Sequence, residues 1–163
     1  TLDSLGMLWT EGQLIQAAIG QSETQVTPLQ MAVQAMTIGN KGLRLKPYIV
    51  ESVFDSEGHK SYSASVKTEK NIIDYSNNFD TVIEGMIAST NYTDGEYYLP
   101  LLPEATAIKT GTPQSPRGYD SAVIGFYPAN NPEIAFSVML ESGNNAKNTV
   151  KSIIESYLES KSE

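Results

Sequence analysis

Thr106-Ala107-Ile108-Lys109-Thr110-Gly111-Thr112 is an apolar run that ends in a polar, glycine-centred tetrad. It reads as a strand over Ala105–Thr112, and two more strand candidates follow closely, Ser121–Tyr127 and Glu133–Glu141. The last two are joined by Pro128-Ala129-Asn130-Asn131-Pro132, which is turn chemistry. A parallel crossover needs roughly a dozen residues or more, so these short connections predict an antiparallel meander. Ser142-Gly143-Asn144-Asn145 closes it. Val150, Ile153, Ile154, Tyr157 and Leu158 then recur with the spacing of one helical face, which predicts a helix over Ala146–Ser160 lying across the sheet. The predicted class is α+β, an antiparallel sheet covered by helices.

N-terminal to the meander, Thr27-Pro28-Leu29-Gln30 carries three helix-start signals at once. Thr27 is an N-cap, Pro28 suits the first helical position, and Gln30 completes a capping box. The helix is expected from Leu29 to about Asn40, with Gly42 as its stop. Leu29, Met31, Ala32, Val33, Ala35, Met36 and Ile38 cover most of its circumference, which predicts a buried helix. Pro47–Phe54 reads as a strand with a return through Ser61–Val66, and Phe79–Ala88 as a second helix capped by Ser76, Asn77 or Asn78. Residues 1–26 give mixed signals: Gln13–Ile19 reads as a short element that runs into a loop.

Bulk properties exclude several functions. With 11 Lys and Arg against 19 Asp and Glu, the net charge is −8, the wrong sign for a nucleic-acid or anionic-lipid partner. There is no cysteine, hence no disulfide and no thiolate metal site, and no metal ligand set is assigned. The single histidine, His59, lies in the polar run Asp55–Lys60 and reads as an ordinary loop residue. Asn91-Tyr92-Thr93 matches a glycosylation sequon by pattern only, and Asp94–Tyr98 reads as a solvated loop. The chain begins at Thr1, and the expectation is a piece of a longer protein whose export signal or anchor lies upstream.

The tetrad Lys109–Thr112 carries the chemistry. Alternation along a strand directs Lys109 and Gly111 to one face and Thr110 and Thr112 to the other. A lysine at a strand end supplies fixed positive charge, and a glycine permits close backbone approach. Threonine hydroxyls hydrogen-bond carboxylates, and a backbone N–H stabilises an oxyanion. An edge strand also accepts an extended peptide as an added strand. The plainer reading is an edge strand guarded by lysine that ends in a Thr-Gly turn.

Context decides between the two. Lys-Thr-Gly is a strand motif of serine penicillin-binding proteins and class A β-lactamases. Ala18-Ile19-Gly20-Gln21 with Gln25-Val26-Thr27-Pro28-Leu29-Gln30-Met31-Ala32 resembles a segment of penicillin-binding protein transpeptidase domains. Ile38-Gly39-Asn40-Lys41-Gly42 followed by Leu45-Lys46-Pro47-Tyr48-Ile49-Val50 resembles the next, and Ala122–Ala129 with Asn131–Ala135 the hairpin after the Lys-Thr-Gly strand. The order is preserved across residues 17–160. Ser22, Lys41, Ile124 and Phe126 are modest departures from the family pattern. The large departure is that no Ser-x-x-Lys occurs. Ser76-Asn77-Asn78 and Ser142-Gly143-Asn144 match Ser-x-Asn but fall too late in the order, and read as a helix start and a turn.

The resemblance implies a β-lactamase/transpeptidase-like fold, of which residues 1–163 are the C-terminal portion. It implies serine acyl transfer on D-Ala-D-Ala stem peptides of peptidoglycan, with β-lactam antibiotics as ligands and no cofactor. The nucleophile would belong to the missing N-terminal half, and this chain alone would be inactive. Lys109 and Thr112 would be catalytic, by positive charge and an oxyanion-hole N–H. Thr110, Gly111, Thr112 and Gln114 would bind substrate. The implied location is the extracytoplasmic face of a bacterial cell membrane. A D,D-carboxypeptidase, a β-lactamase-like hydrolase and a non-catalytic binding module remain open alternatives.

Overall fold

A computed structural model describes residues 10–20, 25–91, 102–115, 118–143 and 145–162. The elements in chain order are α1 (Glu11–Ala18), α2 (Pro28–Gly39), β1 (Leu43–Leu45), β2 (Ser52–Phe54), β3 (Lys60–Ser63), β4 (Thr68–Asn71) and α3 (Asn78–Asn91). They continue with β5 (Ala107–Gly111), β6 (Gln114–Ser115), β7 (Gly118–Tyr119), β8 (Ser121–Tyr127), β9 (Ile134–Leu140) and α4 (Ala146–Ser160).

The meander forms as the sequence predicts, with strand order β5-β8-β9, all antiparallel. Register fixes its two faces. Ile108 pairs with Gly125 and Thr110 with Val123, while Val123 also pairs with Val138. These residues face α4, where Ile108, Val123, Tyr127, Phe136 and Val138 pack with Ala146, Val150 and Ile154. On the other face Ala107 pairs with Phe126. These two close a second cluster with Ile83 and Met86 of α3. The sheet is thus covered by helices on both faces, α4 on one and α2 with α3 on the other. Gly125 is required where it sits: a Cβ there would overlap the Ala107 carbonyl and the Phe136 ring.

α2 starts with the expected capping box. Thr27 Oγ1 accepts the Gln30 N–H at 3.2 Å, and Gln30 Oε1 accepts the Thr27 N–H at 2.8 Å. Burial, however, is confined to Val33, Ala35, Thr37 and Gly39. Leu29 is 59% exposed, because only the C-terminal half of the helix lies on the sheet. α1 has an equally good capping box on Thr10 and Gln13 yet buries no residue. The start of α3 is held by Asp74 rather than by Ser76, Asn77 or Asn78. Its carboxylate accepts the Phe79 N–H at 2.7 Å and the Ser76 N–H at 3.2 Å, which holds Asp74 below the ordinary carboxylate value.

The expected strand over Pro47–Phe54 is shorter, since only Ser52–Phe54 pairs, with β3. β1 pairs with β4, and Lys46 N–H to Lys67 O and Ala64 N–H to Glu51 O join the two ladders into one long hairpin arm. His59 sits in its tip turn, exposed, with Asp55 accepting the Glu57 and His59 N–H groups. Among the described residues no helix is long and apolar enough to cross a membrane, and no group of three or more His, Asp or Glu is placed to hold a metal.

Candidate active site

β5 is one edge of the sheet, and its backbone polarity follows from its partners. The Ala129 N–H donates to the Ala105 carbonyl at 2.8 Å, and the Ala107 carbonyl lies against Gly125. Odd-numbered residues therefore turn their N–H and C=O groups toward β8. In an antiparallel ladder the alternate residues turn theirs the other way. The Ile108, Thr110 and Thr112 groups consequently project from the free edge. Two side-chain contacts agree: the Ser89 hydroxyl of α3 donates to the Ile108 carbonyl at 2.6 Å, and Lys109 Nζ donates to the Thr110 carbonyl.

Side chains follow the alternation expected from sequence. Lys109, opposite Ile124, and Gly111, opposite Ala122, point to the face that α2 and α3 share. Lys109 is exposed there, beside an opening of about 240 Å³ lined by Gln34, Ile38, Val82, Met86 and Ile124. Thr110 lies opposite Val123, on the α4 face, and is half-buried. The Lys109 ammonium and the Thr110 hydroxyl therefore do not converge on one face of the sheet. What converges on the free edge is the Lys109 ammonium with the backbone groups of Thr110 and Thr112. Thr112 is exposed one residue past the strand.

β6 and β7 pair next to that end, Gln114 with Tyr119 and Ser115 with Gly118. Gln114 Nε2 lies 3.4 Å from the Tyr119 hydroxyl, and both side chains are exposed. Beside it is a polar pocket of about 310 Å³ lined by Thr112, Tyr119, Asp120, Ser121, Ser142 and Gly143. Asp120 ties the loop down: its N–H donates to the Pro113 carbonyl at 2.9 Å and its carboxylate accepts the Ser142 N–H at 2.8 Å. Ser121 Oγ accepts the Ala146 N–H at 3.3 Å, so it caps α4, whose own N-cap Asn145 makes no side-chain bond.

Sequence reasoning passed over Ser89 and Asp120. Asp120 does carry a signal, an aspartate immediately before a strand. Ser89 opens a literal Ser-x-Asn string, Ser89-Thr90-Asn91, but its contact depends on which edge of β5 meets α3. Ser76 precedes α3, and Ser142 makes a left-handed turn, φ 53°, in the polar pocket that Thr112 also lines, with its N–H on Asp120. Tyr92, Thr93 and Asp94–Tyr98 lie outside the described residues. A larger, apolar groove of about 360 Å³ between α2 and the β8–β9 turn is lined by Leu29, Met36, Pro47 and Ile134 and shares no lining residue with the opening beside Lys109.

Comparison with known proteins gives a consistent answer. Residues 4–158 match the family described as "Penicillin binding protein transpeptidase domain". Penicillin-binding protein 2A of Bacillus subtilis is 32% identical over 147 residues, 79% of this chain and 20% of that protein. The peptidoglycan D,D-transpeptidase MrdA of Escherichia coli is 27% identical over 154 residues, 83% and 24% of the two chains. A D,D-transpeptidase domain from Eggerthella lenta superposes with a TM-score of 0.75 at 26% identity, over 84% of this chain and 33% of that one. Penicillin-binding protein A of M. tuberculosis, solved as an imipenem acyl-enzyme, superposes at 0.79 and 24% identity over 88% of this chain and 33% of that one. The chain thus spans a fifth to a third of the lengths it matches. These relatives bear out the β-lactamase/transpeptidase-like α+β fold, and the chain belongs to the penicillin-binding protein transpeptidase domain family.

Proposed function

We propose that residues 1–163 are the C-terminal portion of a serine D,D-transpeptidase that binds penicillin and cross-links D-Ala-D-Ala stem peptides of bacterial peptidoglycan. The observation that carries this reading is the free edge of β5, where the Thr110 and Thr112 backbone groups project beside the Lys109 ammonium. An extended peptide ending in a carboxylate fits such an edge. Its backbone adds as a strand, its carboxylate meets Lys109, and the Thr112 N–H faces its penultimate carbonyl.

In the complete protein a serine hydroxyl from the missing N-terminal half attacks that carbonyl and a lysine takes its proton. The peptide bond to the terminal D-Ala breaks, that D-Ala leaves as the free amino acid, and an acyl-serine remains. The amine of a second stem peptide then displaces the serine and forms the cross-link. Lys109 and Thr112 act in this step. Thr110, Gly111 and Gln114 hold substrate, Thr110 through its backbone. No cofactor takes part. The N-terminal half is also the fitting cover for the opening beside Lys109 and for the apolar side of α1. The location is the extracytoplasmic face of a bacterial membrane, with the anchor upstream of this chain.

Release of D-Ala from a stem-pentapeptide substrate by the full-length parent tests this reading. Lys109→Ala is expected to lower kcat/KM about 100-fold or more, the scale of one lost electrostatic stabiliser. Unchanged release by that variant would contradict it.

A further inference from the structure

We infer that Asp120 is a positioning residue for acyl transfer: its carboxylate locks the backbone just past β5, and so fixes the direction of the Thr112 N–H. The inference rests on the function proposed above and adds a residue to its machinery. β5 ends at Gly111, so Thr112 stands between two rungs of the ladder with β8. Behind it Gly111 pairs with Ala122. Ahead of it the Asp120 N–H donates to the Pro113 carbonyl at 2.9 Å. In an antiparallel ladder such a rung carries two bonds, but proline has no N–H to return, and this rung has one. β5 is also the edge of its sheet, so among the described residues no strand holds Thr112 from the other side.

The Asp120 side chain offsets the missing bond. Its carboxylate accepts the Ser142 N–H at 2.8 Å, a charge-assisted tie from the start of β8 to the turn after β9. Ser142 stands at φ 53°, a left-handed conformation that serine adopts at a cost, and the tie holds it there. The next residue, Ser121, accepts the Ala146 N–H at 3.3 Å, so the start of α4 is fastened to the same point. Thr112, Asp120 and Ser142 line one polar pocket. Without the carboxylate the rung ahead of Thr112 opens more often, and the Thr112 N–H swings. An oxyanion donor works by being preorganised, so the loss falls on the acylation step rather than on binding. Asp120 acts through Pro113 and touches no reacting atom.

The test uses the full-length parent and benzylpenicillin. It reads the Kd of the complex that precedes acylation separately from the limiting acylation rate, with the unfolding midpoint of each variant. Asp120→Ala should lower the limiting rate about tenfold, short of the roughly 100-fold loss of an oxyanion donor removed outright, and leave Kd within about twofold. Asp120→Asn keeps an oxygen for the Ser142 N–H and should stay within about threefold of wild type. Pro113→Ala, added to Asp120→Ala, supplies the donor that the rung lacks and should recover most of the rate. Ser142→Gly keeps the N–H and suits the left-handed turn, so it should acylate within about twofold of wild type. If Asp120→Ala does not fold, Asp120→Ser, whose hydroxyl falls short of the Ser142 N–H, carries the same expectation. A wild-type limiting rate in Asp120→Ala would overturn the inference. So would a fall in Asp120→Asn as deep as in Asp120→Ala, a rise in Kd at unchanged rate, or no recovery with Pro113→Ala. A tenfold loss in Ser142→Gly would move the effect to the Ser142 hydroxyl and overturn it too. A wild-type parent that penicillin does not acylate would instead refute the function proposed above.

Discussion

α1 and α2 begin alike and end differently. Each opens on a threonine whose hydroxyl accepts the N–H of a glutamine three residues on, and each glutamine reaches back to the threonine. α2 then presses Val33, Ala35 and Gly39 into the protein, whereas α1 leaves Leu14 66%, Ile15 68% and Ile19 72% exposed. Local chemistry starts a helix; only a packed face makes it part of a cooperative core. The same contrast separates the meander from the hairpin arm. Phe126 and Ile154 are fully buried, while Ile49 is 99% exposed. Two hydrophobic populations share one chain, and among the described residues only one of them is covered.

The largest effect should separate the two populations outright. Ile154→Ala should cost about 2–5 kcal/mol, because it opens a cavity where α4 meets the sheet. Ile49→Ala should stay within about 0.5 kcal/mol, as a surface change does. Urea unfolding of both variants measures the pair, and equal losses would break the comparison. A smaller contrast concerns the caps. Thr27→Ala should cost about 1 kcal/mol of global stability, the usual worth of a lost N-cap. Thr10→Ala should leave the unfolding midpoint in place and reduce only local helix content, read by amide exchange in residues 11–18.

The smallest effect sharpens the account of how α3 and α4 are tied down. Asp74 and Glu133 both sit below their ordinary values of 3.8 and 4.5, Asp74 through the Phe79 N–H and Glu133 through its bond to Lys161, supported by the Tyr157 hydroxyl. A carboxylate with a depressed folded value stabilises above its unfolded value and loses that contribution as pH falls through the folded one. The unfolding midpoint should therefore drop as pH is lowered past about 4.5 and below, and drop less in Asp74→Asn and Glu133→Gln. Lys161 is raised above 10.5 by the same bond to Glu133, so its contribution persists up to that pH and fades as pH climbs higher. An identical acid profile in wild type and both variants would remove these ties from the account.

The sequence made the meander, α2 and α4 readable because each carries a pattern that burial imposes. The apolar runs of β8 and β9 and the i, i+3, i+4 face of α4 are such patterns. β1 and β4 lack one: Leu43-Arg44-Leu45 and Thr68-Glu69-Lys70-Asn71 are held by backbone pairing and mostly exposed, so no periodicity marks them. The cap of α3 is not legible at Ser76, Asn77 or Asn78 because Asp74 reaches it from four residues before Asn78, across a left-handed Asn77, φ 54°. At the site, the Lys-Thr-Gly residues and the alternation of their side chains could be read directly. The direction of their backbone groups could not, since it depends on the register with β8 and on the Ser89 contact from a helix about twenty residues upstream.

Intact-mass spectrometry after exposure to benzylpenicillin, with this chain and its separately produced N-terminal half combined, tests the central claim most directly. A penicilloyl adduct on the N-terminal half, with these 163 residues unmodified, is the predicted result. An adduct on this chain would place a nucleophile where none is assigned, and no adduct on either piece would contradict a shared acyl-transfer site.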